Sequence, residues 1–132
     1  MKTYTGINIQ YPISRIILDK SKTIETRTYP IPEKYLGQEL LFIETPGKEG
    51  DFKARIVGTI KFKSCFLYKS KADFYKDIKK HKVGKDSPYA WKDKPKWGWI
   101  VESVKPLKKP VPAPKKKGIK FTTGICKEFL SE

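Results

Sequence analysis

A chain of 132 residues with 38% hydrophobic and 13% aromatic content has the length of one small domain and enough apolar mass for one modest core, which excludes wholesale disorder. Two cysteines outside any Cys-x-x-Cys spacing and a single histidine argue against zinc, and no other cofactor is indicated. No apolar run approaches a membrane span and Met1 to Pro12 has no signal-like apolar stretch, so no membrane association and a cytoplasmic setting are expected for this basic chain, whose formal net charge is +15.

Thr5 to Gln10 is expected as a short strand in which Ile7 and Ile9 alternate onto one face. Pro12 suits the first turn of a helix carrying Ile13, Ile16 and Ile17 and ending near Ser21. Thr23 to Tyr29 is a second strand, interrupted by Pro30 and Pro32. Glu39 to Thr45 is a third, with a Leu40-to-Ile43 run too continuous to be exposed on both faces. Turn signals at Pro46-Gly47 and Gly50-Asp51 precede a long β-prone stretch, Phe52 to Tyr68, expected to bend or break near Gly58. Ser70 and Asp73 have capping-box spacing, with Asp in place of the usual Glu or Gln. The helix they open puts Phe74, Ile78 and His81 on one face, with His81 solvated among lysines and Gly84 as the stop. Trp97 to Val104 is a strand, followed by a Pro/Lys-rich connector at 105–118 with polyproline character. Phe121 to Leu130 returns as a strand or a short helix. These elements do not alternate as βαβ units, so the expected fold is α+β: one domain over 1–132, a small β-barrel of five or six strands with two short helices.

The positive charge is confined. Lys61 to Lys96 holds twelve lysines against Asp73, Asp77, Asp86 and Asp93, and Lys105 to Lys120 holds seven lysines and no acid, so the rest of the chain is neutral. A neutral body with two basic segments suits a polyanion, RNA or single-stranded DNA, whose backbone Lys79, Lys80, Lys92, Lys94, Lys96, Lys115, Lys116 and Lys117 would follow. Solvated lysine faces are the bland alternative, and an adaptor for acidic proteins would need only the charge. Arginines stand only at Arg15, Arg27 and Arg55, which argues against extensive base readout in a major groove.

In the second strand, Thr23, Glu25, Arg27 and Tyr29 share one face and Ile24 points to the core. Lys22 joins Glu25 only if it precedes the regular strand, in the turn-prone Asp19-Lys20-Ser21 segment. A lysine, a carboxylate and a guanidinium would then converge, able to hold a polar ring or a phosphate, or to polarise a carbonyl with Lys22 while Glu25 moves a proton. From spacing alone, a surface Glu25–Arg27 pair of little energetic weight is the simpler reading. Trp97 and Trp99 fall on one strand face about 7 Å apart, placed either to stack bases or to fill a core. Trp91 stands among Lys92, Lys94 and Lys96, an interleaving suited to a single-stranded polyanion.

Asp19 to Arg27 resembles the ASCH signature, Gly-x-Lys-x-x-Glu-x-Arg after a first helix, with Lys22, Glu25 and Arg27 at the Lys, Glu and Arg positions and Lys20 where the pattern has glycine. The Trp97-Gly98-Trp99-Ile100-Val101 strand, Pro106 and the Pro-rich approach to Gly118 also resemble the family's late segment. The resemblance implies a PUA-like barrel with a cleft beside the first helix and a role in RNA or DNA binding, with Lys22, Glu25, Arg27, Tyr29, Trp91 and Trp97 as ligand-binding candidates. It also implies an alternative, an enzyme on a modified nucleoside or RNA (amidohydrolase or nuclease) using Lys22 and Glu25. The family's bacterial N4-acetylcytidine hydrolases carry a threonine nucleophile where this chain has Glu25, so the same hydrolytic mechanism is not expected. His81 alone provides no histidine pair for nuclease chemistry.

Overall fold

The alternating Ile7 and Ile9 and the continuous apolar runs from Leu40 to Ile43 and from Trp99 to Val101 all fall in strands. The computed structural model describes residues 3–113 and 121–126, with Thr3 and the final segment described by backbone alone. Among these residues there are six strands, β1 (Thr3–Gln10), β2 (Ile24–Arg27), β3 (Leu40–Thr45), β4 (Arg55–Tyr68), β5 (Lys96–Pro112) and β6 (Phe121–Cys126). There are three short helices, α1 (Ile13–Leu18), α2 (Lys71–Lys76) and α3 (Ile78–His81), with a 3-10 turn at Glu33–Tyr35. The α+β class is the one expected. No helix among the described residues is long and apolar enough to cross a membrane.

Packing divides the chain into two compact units. The first takes the described parts of Met1–Leu18, Glu39–Ile60 and Val104–Glu132. Its strands neighbour one another in the order β5-β4-β3-β1-β6, with β1 parallel to β3 and antiparallel to β6. Covered on both faces, β3 buries Leu40, Leu41, Phe42 and Ile43 alike, as its continuous apolar run requires. Leu41, Ile43 and Ile56 form one cluster, closed by Tyr4, Ala54, Leu107, Val111 and Ala113. β4 runs through Gly58 as one strand, and the expected irregularity falls beside that glycine: Phe42 pairs with Gly58 and Ile43 with Ile56, which leaves Val57 as the extra residue of a β-bulge on β4. A Cβ on Gly58 would lie 2.4 Å from the Lys105 carbonyl oxygen, so only glycine admits β5 this close.

The segment expected as a proline-rich connector is strand as far as Pro112. Prolines that would interrupt a central strand are tolerated because, among the described residues, this part of β5 neighbours β4 on one side alone in the unit's strand order. Of the segment Phe121 to Leu130, expected as a strand or a short helix, Phe121–Cys126 is a strand and 127–130 lies outside the described residues.

The second unit comprises Asp19–Gln38 and Lys61–Ser103, with the strand order β2-β5-β4. Ser70 caps α2 by accepting from the Asp73 backbone N–H at 3.1 Å, the contact its spacing predicts. The single helix expected beyond it is divided at Asp77. Two assignments on this segment are corrected. Ile78 is exposed and His81 is fully buried, stacked on Phe74 at 4.2 Å. The helix stops at His81 rather than Gly84, with Lys82 left-handed at φ 61° and the Val83 N–H donating to His81 Nδ1 at 2.9 Å. The imidazole thus closes the turn that a glycine would otherwise make.

Candidate functional site

Asp19 builds the turn that delivers Lys22. Its Oδ1 accepts from the Ser21 backbone N–H at 2.8 Å and from Ser21 Oγ at 2.6 Å, and Lys20 bends left-handed at φ 71°. Lys20 therefore adopts the backbone that glycine takes freely, at a cost of roughly 1–2 kcal/mol. Lys22 precedes β2, which begins at Ile24, and so escapes the strand's alternation. Two backbone bonds hold the segment, Thr23 N–H to the Lys80 carbonyl at 2.8 Å and Val101 N–H to the Thr23 carbonyl at 2.9 Å.

The Lys22 ammonium is buried, donates to the His81 backbone carbonyl and lies 3.8 Å from Glu25 Oε1. Glu25 Oε2 accepts from Arg27 Nη2 at 3.0 Å and Nε at 3.2 Å, and Arg27 Nη1 lies 3.0 Å from the Tyr29 hydroxyl. Lys22, Glu25, Arg27 and Tyr29 therefore form one connected set. Glu25 is buried, so its pairing with Arg27 is not the loose surface contact that spacing alone suggested.

Strand β5 supplies the floor. Glu25 pairs with Trp99 and Arg27 with Trp97, so all four side chains share a face. Trp99 is fully buried, edge-on to Tyr29 and Phe62 at 5.5 Å each, and its indole N–H donates to the Tyr29 carbonyl at 3.1 Å. The Arg27 guanidinium sits 5.3 Å from the Trp99 ring. Trp97 is half-buried beside Arg27. Trp91, also half-buried, packs with Phe74, and its backbone N–H donates to the Tyr75 hydroxyl.

Lys79, Lys80, Lys92 and Lys94 are exposed, whereas Lys96 is buried and donates to the Tyr89 carbonyl at 2.5 Å. Lys115, Lys116 and Lys117 lie outside the described residues. Grouping Lys96 with the solvated lysines missed its connection to the Glu25 set, and nothing in a lysine run marks one member as buried. Burial pushes the Lys22 ammonium below the ordinary lysine range. Glu25 opposes that shift, while Arg27 and Lys96 add to it. Burial likewise lowers Lys96, helped by Lys92 and opposed by Glu25. Among the described residues, Lys22, Arg27 and Lys96 share the single carboxylate of Glu25, so the set holds more cationic than anionic groups. Glu25 supplies the complementary acceptor for an N–H.

No family model and no curated protein matches the chain. Among solved structures it is similar to the ASCH protein of Zymomonas mobilis, with a TM-score of 0.67 and 13% identity over 97% of this chain and 91% of that one. Two single-residue variants of that protein give TM-scores of 0.66 and 0.65 at 12% identity, over 92% and 91% of this chain and 90% and 87% of theirs. The fold is ASCH-like, and identity this low carries the fold alone.

Proposed function

We propose that this chain is a nucleic-acid-binding domain that takes single-stranded RNA, with single-stranded DNA as the alternative ligand. The observation carrying this reading is the gathering of three buried or half-buried cations, Lys22, Arg27 and Lys96, on Glu25, the one carboxylate they share among the described residues. Exposed lysines border it. The Thr23–Lys80 backbone bond brings α3, with Lys79 and Lys80, beside the turn that carries Lys22. In this reading the exposed lysines neutralise phosphates as point charges and the Lys22–Glu25 pair meets one base edge, donating to its carbonyl and accepting from its N–H. Trp97, half-buried on the same face, offers that base a ring to stack on.

The test is titration of a labelled single-stranded RNA, and of DNA of the same sequence, across a range of salt. Log affinity should fall with log salt at about −0.7 per phosphate contacted. A flat salt profile, or no binding at low salt, excludes the reading.

A further inference from the structure

Two of the three arginines in this chain of 26 lysines converge on one buried carboxylate of the first unit. Glu44 closes the apolar run of β3 and is fully buried. Its Oε1 accepts from Arg15 Nη2 at 2.6 Å and Arg55 Nε at 2.9 Å, and its Oε2 from Ser14 Oγ at 2.5 Å and Arg15 Nε at 2.9 Å. Four donors fill the four lone-pair sites of a carboxylate, so Glu44 has nothing further to offer a ligand. The arginines do. Arg15 retains Nη1 and Arg55 retains both terminal nitrogens, none of which makes a hydrogen bond among the described residues. Their side chains are 46% and 29% exposed. The Arg55 guanidinium also lies 4.0 Å from the Phe52 ring, which meets Tyr11 edge-on at 5.5 Å.

We propose that Arg15 and Arg55, fixed by Glu44 and Phe52, form a phosphate-binding site distinct from the Lys22–Glu25 set. Two guanidiniums against one carboxylate leave one net positive charge. The guanidinium fork matches phosphate oxygens in pairs, which a lysine ammonium does not. Holding each fork on a saturated buried acid removes the rotamer entropy that a free surface arginine loses on binding. An ion network that served stability alone would not need to leave these donors at the surface. The ligand is an oxyanion of phosphorus, carried either as a strand phosphodiester or as a free phosphate group, and the site does not depend on the nucleic-acid reading of the other unit.

The test begins with the unaltered protein. Inorganic phosphate, added against chloride at matched ionic strength, should shift the Nε–Hε NMR signals of Arg15 and Arg55 saturably and leave that of Arg27 in place. No shift, or the same shift with chloride, overturns the proposal. Arg55→Lys keeps the charge but loses the fork, and phosphate affinity should fall about tenfold. Phe52→Leu leaves both arginines on Glu44 and should weaken phosphate less, which keeps the proposal testable if Arg55→Lys does not fold. Unchanged phosphate affinity in both variants would assign binding to the lysines and sink the idea. RNA lacking terminal phosphates identifies the source: arginine shifts with it indicate the phosphodiester, and shifts with inorganic phosphate alone indicate a free phosphate group.

Discussion

The Lys22 ammonium donates to the backbone carbonyl of His81, whose ring is meanwhile engaged at both nitrogens. The Val83 N–H must donate to Nδ1, so Nε2 carries the proton and donates to the Phe74 carbonyl at 2.6 Å. The lysine of the candidate site is therefore positioned by a histidine that has to be neutral.

Stability should accordingly fall on acidification. Burial pushes His81 below the ordinary histidine range, Lys22 and Lys96 add to that, and the Phe74 carbonyl and Asp77 oppose it. A depressed basic group is protonated first in the unfolded chain. Its contribution is thus complete above the ordinary histidine pKa and declines as pH falls below it, by up to about 1.4 kcal/mol per pH unit. Urea unfolding between about pH 7.5 and 5.5 measures this window. His81→Gln should flatten the profile, and an equally steep decline in that variant would assign it to another group.

Glu44→Gln should cost about 2–4 kcal/mol. The substitution keeps the shape but leaves Arg15 and Arg55 facing each other without their anion. The lower half of that range is favoured because both guanidiniums are partly hydrated. Urea, which does not screen charge, is the appropriate denaturant. A loss under about 1 kcal/mol would reduce the network to the weight of exposed ion pairs.

Two glycines should differ in their tolerance of a methyl group. In Gly58→Ala the new Cβ meets backbone, the Lys105 carbonyl oxygen at 2.4 Å and Pro106 Cα at 3.0 Å. In Gly98→Ala it meets rings, Phe66 at 2.8 Å and Tyr68 at 3.0 Å. Rings can tilt where a strand cannot retreat, so Gly58→Ala should cost about 3 kcal/mol and Gly98→Ala nearer 1. Unfolding midpoints in the reverse order would make the Phe66–Tyr68 pair the stiffer neighbour.

What could be read from the sequence is local. The Leu40–Ile43 run gave a strand buried on both faces, Ser70 and Asp73 gave a cap, and the resemblance of Lys22-x-x-Glu25-x-Arg27 to the ASCH signature, where spacing alone favoured a loose surface pair, put a lysine, an acid and a guanidinium within reach of one another. What escaped depends on neighbours distant in sequence. Glu44 reads as the polar end of a strand until Arg15 and Arg55 arrive from α1 and β4. His81 reads as one polar residue among helical lysines, because its burial depends on Phe74 stacking and on the two backbone groups that its ring serves. The segment with Pro106, Pro110 and Pro112 reads as a connector rather than a strand, since whether a sheet tolerates a proline depends on a neighbour that the sequence does not reveal.

The lysines should separate into two kinds. Changing exposed Lys79, Lys80, Lys92 and Lys94 to Gln should weaken every RNA sequence about equally and make the salt slope shallower by about 0.7 per lost contact. Lys96→Gln removes a buried cation tied to Tyr89 and should reduce affinity while leaving the slope nearly unchanged. Equal slope changes for Lys96 and for an exposed lysine would show that both act as simple point charges at the surface.

Finally, the Lys22–Glu25 pair should recognise rather than hydrolyse. A hydrolase of the threonine type needs a hydroxyl at the position of Glu25, and Glu25 presents a carboxylate with Oε2 held by two nitrogens of Arg27. A carboxylate so engaged, with Lys22 Nζ at 3.8 Å from its other oxygen, is built to hold partners in place rather than to abstract a proton from water. Incubation with N4-acetylcytidine and with a mixed RNA pool, followed by mass spectrometry, should therefore yield no product. In the same preparation, folded Lys22→Ala and Arg27→Ala variants should bind RNA about tenfold or more weakly, the loss expected for a charge-assisted contact. Turnover by the unaltered protein that disappears in both Lys22→Ala and Glu25→Ala would instead make this an enzyme, with Glu25 activating water and Lys22 stabilising the oxyanion. Variants that bind as well as the unaltered protein would reduce the buried set to a structural role and leave the exposed lysines as the working surface.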